Sequence, residues 1–264
     1  MSDASSTPEL SCLTLSVDGA VATLSLNRPE RLNALSRALL REIVVTSRWL
    51  DDQPSIKVVV VRGEGRAFSA GYDLTDFTEP EPGRTHGDSA DLGRVAADAL
   101  TDIHQLTVAA LHGHCVGGGL VIAAACDLRI AANTVRFSIP EVDLGIPLAW
   151  GGIPRLVREL GPAITKELVL TCRPFGADEA LALRFLNRVV PAAELDAAAS
   201  ALAAELAGKP GFALRTTKQQ VNAVMEEMGS TRRNASDRDL LAAALADPES
   251  RAISAAYLAS RRAR

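Results

Sequence analysis

Three consecutive glycines, Gly117 to Gly119, run straight into an apolar stretch, Leu120-Val121-Ile122-Ala123-Ala124-Ala125. The pattern reads as a tight turn opening a buried helix. The first N–H groups of such a helix have no acceptor within it and lie at the positive end of its dipole. They suit negative charge, including the transient oxyanion of a carbonyl under attack. A second turn of this kind, Ala67-Phe68-Ser69-Ala70-Gly71-Tyr72-Asp73-Leu74, follows the strand-like run Ile56 to Val61. Beyond the apolar helix stands one well-placed acid, Glu141. Two donor turns and an acid point to an enzyme acting on an activated carbonyl.

The rest of the chain supports an α/β fold. Residues 12–17 and 20–26 read as strands, with Asp18-Gly19 between them signalling a hairpin. Ala34 to Leu50 has helical periodicity, with Leu35, Leu39, Ile43 and Val44 near one face. Ile56 to Val61 is too apolar for a half-exposed strand and is expected to be buried on both faces. Residues 75–90, rich in Pro, Gly, Asp and Glu, read as a mobile loop. A helix is expected over 92–104, and strands at 108–112, 128–131 and 137–139. From Ile153 the pattern is almost wholly helical, with a stop at Gly161-Pro162 and a short strand at 187–190. An α/β core over 10–190 and a helical C-terminal region over 191–264 are expected.

A chain of 264 residues, 47% hydrophobic with a net charge of −4, is globular and gives no electrostatic reason to expect nucleic acid. Its apolar runs fall far short of the ~20 residues of a membrane span, and the polar Met1 to Leu10 has no signal-peptide pattern. Cys12, Cys115, Cys126 and Cys172 contain no CxxC pair, so a reducing cytoplasm is the simplest compartment. Arg261 to Arg264 reads as a solvated basic tail.

Other chemistries fit poorly. Gly63-Glu64-Gly65-Arg66-Ala67-Phe68 has phenylalanine where the third glycine of a dinucleotide turn belongs. Ser69 lies in an incomplete nucleophile elbow, and no histidine follows His114 to complete a hydrolase triad. His112 and His114 read as imidazoles on one side of a strand, and no third metal ligand stands at readable spacing.

In six ordered motifs the chain resembles the crotonase superfamily, the enoyl-CoA hydratase/isomerase family, over roughly residues 10–260. They are Asn27 to Leu35, Gly65 to Leu74, Gly117-Gly118-Gly119, Ala125 to Ala131, Pro140 to Gly145 and Gly151 to Leu156. The resemblance implies a spiral of ββα units with a helical C-terminal part, assembled as a homotrimer or dimer of trimers. It implies an acyl-CoA thioester as substrate, with no further cofactor and no metal. The oxyanion hole would be the N–H groups of Tyr72 and Gly118. Arg31, Leu32, Ala70, Gly71, Tyr72, Asp73, Leu74, Gly117, Gly118, Pro140, Leu144 and Trp150 would bind the substrate. Arg28 and Arg31 are chemically suited to CoA phosphates.

The family's hydratases use two glutamates. The second corresponds to Glu141, but the first, three residues past the oxyanion glycine, is Val121 here. Valine neither accepts nor donates a proton, so the expectation is a double-bond shift with Glu141 as sole acid/base. The family's dienoyl-CoA isomerases carry an aspartate where this chain has Ala149, which disfavours that variant. The alternatives are a hydratase in which Asp143, Asp73 or Asp76 supplies the second acid, and an acyl-CoA-binding protein with degraded catalysis.

Overall fold

The structure, a computed structural model, describes residues 7–79, 81, 83, 86–231 and 237–262. The first six residues, Ala263 and Arg264 of the basic tail, and Pro80, Pro82, Arg84 and Thr85 of the 75–90 stretch lie outside them.

The hairpin forms around Gly19 (φ 56°), with β1 (Leu13–Asp18) antiparallel to β2 (Val21–Leu26). The helix expected from Ala34 begins later. Leu35 is bridged to Tyr72, and the Ser36 hydroxyl accepts the Leu39 N–H at 3.2 Å, capping α1 (Arg37–Asp51). Leu39, Leu40, Ile43 and Leu50 of α1 are fully buried, each worth about 1.5–3 kcal/mol.

Then follow β3 (Val58–Gly63), α2 (Leu74–Thr78), α3 (His86–Asp102), β4 (Leu106–Leu111), β5 (His114–Val116), α4 (Gly118–Ala125), β6 (Leu128–Ala132) and β7 (Arg136–Ser138). The stretch read as a loop is thus helical at both ends. Arg37 fastens α2 to α1, its N–H and guanidinium donating to Asp76 Oδ2 and Asp76 O at 2.6 and 2.8 Å. Beyond β7 come α5 (Gly152–Leu160), α6 (Pro162–Thr171), β8 (Phe175–Gly176), α7 (Ala177–Ala182), β9 (Arg188–Val190) and four further helices. These are α8 (Leu195–Ala207), α9 (Gly211–Met228), α10 (Asp237–Ala246) and α11 (Pro248–Arg262).

One sheet has the order β1-β2-β3-β4-β6-β9, parallel from β2 onward; a second has the order β5-β7-β8. A bridge between Ser69 and Cys115 adds the chain after β3 to the second sheet. The turns that begin at β3, β4 and β6 therefore each cross the first sheet, then the second, then return through helix. Val59 and Val61 of β3 face the core shared with α1, α3 and α4. Val58 and Val60 face α8 through Leu195, Ala199 and Leu202. Burial on both faces explains the unbroken valine run. On α9, Lys218 is buried and pairs with Asp127 at 2.9 Å while donating to Gln105 O at 2.8 Å. Among the described residues no helix is long and apolar enough to cross a membrane.

The passage between the sheets separates the two histidines expected on one strand. Gly113, at φ 57°, turns the chain out of β4 and into β5. His112 Nε2 lies 3.0 Å from Gly65 O, whereas His114 opens β5. A Cβ on Gly113 would collide with the Arg66 carbonyl and lie 3.1 Å from Ala67 Cα. Gly113→Ala is expected to lose about 2–4 kcal/mol of stability in urea unfolding; a loss under ~0.5 kcal/mol would contradict this packing.

Candidate active site

Asn33 organises the first donor turn. Buried and left-handed (φ 54°), it donates from Nδ2 to Glu64 O and Ala67 O at 2.8 and 2.7 Å. Its Oδ1 accepts the Arg28 N–H at 2.8 Å. The Ala70 N–H donates to Leu32 O at 2.9 Å, and the Ser69 hydroxyl donates to Asn33 O at 2.8 Å. Residues 28–33 are thus the template on which Ala70-Gly71-Tyr72 is laid. Leu35 then donates to Gly71 O (2.8 Å) and accepts from the Asp73 N–H (3.2 Å). Because successive strand residues point their polar groups to opposite sides, the Tyr72 N–H faces away from Leu35.

The second turn is held from the opposite side. The Gly117 N–H donates to Ser138 O at 2.9 Å, and Gly117 O accepts from Leu120 and Val121 at 2.9 and 3.1 Å. Gly118 opens α4, so its N–H has no acceptor within the helix. The two turns nest. A Cβ on Gly119 would lie 2.7 Å from Ser69 Cβ, and one on Gly71 would lie 2.9 Å from Val116 O and 3.8 Å from Gly118 N.

Glu141 ends the extended run after β7 and starts the 3-10 turn Val142–Leu144. Its side chain is laid against Gly117, where a Cβ would collide with Oε1 and lie 3.2 Å from Cδ. Oε2 is buried and has no hydrogen-bond partner among the described residues. Burial without a compensating charge pushes the carboxyl from the usual 4.5 up to about 7.

Two cavities meet here, sharing Tyr72, Phe77, Glu141 and Ile146 in their walls. The outer cleft, about 560 Å3, is lined by Arg31, Leu32, Ala70, Gly71, Asp73, Leu74, Gly117, Pro140 and Leu144. The inner chamber, about 60 Å3, is lined by Gly118, Val121 and Trp150. Glu141 and the twelve residues expected to bind the substrate therefore all border one cavity or the other, whereas Arg28, Asp76 and Asp143 border neither. Arg31 is exposed at the outer cleft, whereas Arg28 is engaged, its NH1 pairing with Asp73 at 2.8 Å and donating to Ala34 O at 2.6 Å.

The other acids are turned away. Asp73 is taken by Arg28 and by the Thr75 N–H (3.0 Å), and Asp76 by Arg37. Asp143 is exposed and borders neither cavity. Among the described residues lining the inner chamber, Glu141 is the only carboxylate, and Val121 is fully buried beside it. Among the described residues no group of three or more His, Cys, Asp or Glu side chains is placed to hold a metal ion.

Sequence reasoning missed the part of the site that comes from the far end of the chain. Leu241 of α10 walls the inner chamber and Tyr257 of α11 the outer cleft. The Ser254 hydroxyl donates to Leu144 O, and Asp237 Oδ2 accepts the Gly151 N–H at 2.9 Å. In an alanine-rich helical stretch these residues carry no local mark of their role.

Comparison with known proteins identifies the family. The family model described as enoyl-CoA hydratase/isomerase matches residues 16–263. A short-chain-enoyl-CoA hydratase of Clostridium acetobutylicum is 34% identical over 221 residues, covering 83% of this chain and 84% of that protein. The solved enoyl-CoA hydratase/isomerase from Xanthobacter autotrophicus superposes with a TM-score of 0.86 at 29% identity, covering 97% of this chain and 99% of that one. A Thermobifida fusca structure solved with acetoacetyl-CoA gives 0.75 at 32% identity, covering 87% and 93%. Fold and site together define an enzyme of the crotonase class. Within that class the chain belongs to the enoyl-CoA hydratase/isomerase family.

Proposed function

We propose that this enzyme moves a carbon–carbon double bond within an acyl-CoA thioester, with Glu141 as its single acid/base. One observation carries the reading: the inner chamber presents one carboxylate, with the fully buried Val121 where the family's hydratases have their other glutamate. Hydration needs groups that hold a water and deliver a proton to the α-carbon. A double-bond shift needs one group that takes a proton and returns it elsewhere.

In this reading the thioester oxygen sits between the N–H groups of Tyr72 and Gly118. The Glu141 carboxylate removes a proton from C2 of a 3-enoyl-CoA. The electron pair spreads through a dienolate onto the thioester oxygen, where each donor contributes about 3–4 kcal/mol to lowering the barrier. Glu141 then returns the proton to C4, leaving the double bond between C2 and C3. A carboxyl poised at about 7 serves as base and as acid at neutral pH. Arg31, exposed at the outer cleft, would meet the CoA phosphates. The apolar side chains of Val221, Val224 and Met228, exposed on α9, support association of copies, for which the family resemblance implies a homotrimer or dimer of trimers.

The test is turnover of 3-enoyl-CoA and trans-2-enoyl-CoA side by side, by wild type and Val121→Glu. Wild type is expected to isomerise the first and hydrate the second at least ~10²-fold more slowly, since a missing acid/base typically costs 10²–10⁴-fold. Hydration is expected to rise in Val121→Glu. Brisk hydration by wild type would overturn the reading.

A further inference from the structure

Trp150 stands out in the inner chamber because the chain accommodates it at some cost. Its φ is 62°, a left-handed backbone that bulky residues rarely adopt. Gly151 follows at φ 66°. Arg155, 1% exposed and paired with Asp98 at 2.8 Å, donates from NH1 to Gly151 O at 3.3 Å. Asp237 secures the other side of the same residue from α10, accepting the Gly151 N–H at 2.9 Å. Three elements thus hold one strained turn in place.

The strain puts an indole where side chains are missing. A Cβ on Gly93 of α3 would collide with the Trp150 ring, as would one on Gly118. On its free edge the indole meets the Tyr72 ring in a T-shaped contact, with centroids 5.5 Å apart and an interplanar angle of 80°. It therefore fills the gap between α3 and Gly118 and forms one wall of the chamber. What remains is about 60 Å3, room for about four to six water-sized groups. The outer cleft is several times larger and continuous with it.

We infer that Trp150 is the residue that limits acyl length, so that the site takes short acyl groups and excludes long chains. The inference rests on the acyl-thioester reading above and narrows its substrate class. The thioester end enters from the outer cleft and is held at Tyr72 and Gly118, so the carbons beyond C3 run toward the indole. A chain that outgrows the chamber must displace Trp150, and with it the turn clamped by Arg155 and Asp237.

The experiment is calorimetric titration with saturated acyl-CoA thioesters, butyryl to decanoyl, which bind without turnover. Wild type is expected to bind butyryl-CoA at least ten-fold more tightly than decanoyl-CoA. Trp150→Gly keeps the left-handed backbone without the ring and should reverse or erase that ratio. Trp150→Phe should shift it part of the way, which covers a failure of the glycine variant to fold. Leu241→Ala removes a smaller part of the chamber wall and should relax the ratio less than Trp150→Gly does. Equal binding of both thioesters by wild type would overturn the inference. So would a ratio unmoved in the Trp150 variants, or one relaxed more by Leu241→Ala than by Trp150→Gly. If no thioester binds at any length, the acyl-CoA reading falls as well. A length preference without isomerisation removes the reaction and leaves the length limit standing.

Discussion

Glu141→Gln is expected to lower the isomerisation rate by about 10³-fold or more while the fold persists. Glutamine keeps the shape of the side chain but cannot take a proton from carbon. The same substitution has a stability signature. Burial holds the Glu141 pKa at about 7 in the folded protein, against 4.5 for an ordinary glutamate. As pH rises through that window the unfolded chain releases its proton first, and the folded state bears the cost of the buried charge. The cost is absent below about pH 4.5 and complete above about pH 7, where it is on the order of 1–3 kcal/mol. Glu141→Gln should therefore be more stable than wild type at pH 8, with the difference vanishing at pH 4.5 in matched urea titrations. Wild-type kcat/KM should rise with pH to a plateau with an apparent pKa of about 7. Undiminished turnover in Glu141→Gln would remove it from the mechanism.

Gly117→Ala carries the second large effect. Gly117 has φ 49° and ψ −118°, and an added Cβ meets Glu141 Oε1. The backbone alone is expected to cost about 1–3 kcal/mol of stability. The methyl group also pushes the carboxylate out of line with C2, and a misplacement of about 1 Å is enough for a ~10²-fold fall in kcat. Gly19→Ala separates the two contributions. Gly19 has a similar φ of 56° in the β1–β2 turn, with nothing within 4 Å of an added Cβ. It should lose stability without losing kcat. Full activity in Gly117→Ala would mean that Glu141 is not held by that contact.

Much of this was readable locally. Periodicity marked the apolar face of α1, although Ser36 rather than Ala34 starts the helix, because Leu35 is drawn into a bridge with Tyr72. The valine run of β3 was readable because burial on both faces leaves no polar alternation. The two-histidine strand was misread because a glycine at φ 57° routes the chain between two sheets, a choice a single glycine does not reveal. The roles of Asn33 and of Leu241 were hidden because the carbonyls that Asn33 Nδ2 holds and the chamber that Leu241 walls belong to segments more than thirty residues away along the chain.

By itself the sequence determined where the chain turns, that an apolar helix follows the three glycines, and that Val121 and Glu141 stand at the two positions that the resemblance gives to a pair of glutamates in the family's hydratases. These are properties of short segments, set by backbone freedom and side-chain chemistry. The tertiary structure decided what those residues experience. It turned Arg28 toward Asp73 and left Arg31 at the outer cleft. It buried Glu141 far enough to bring its pKa to about 7. It also closed the chamber with Trp150 and with α10. Desolvation and enclosure depend on atoms supplied by every neighbouring element, and no local stretch of sequence contains them.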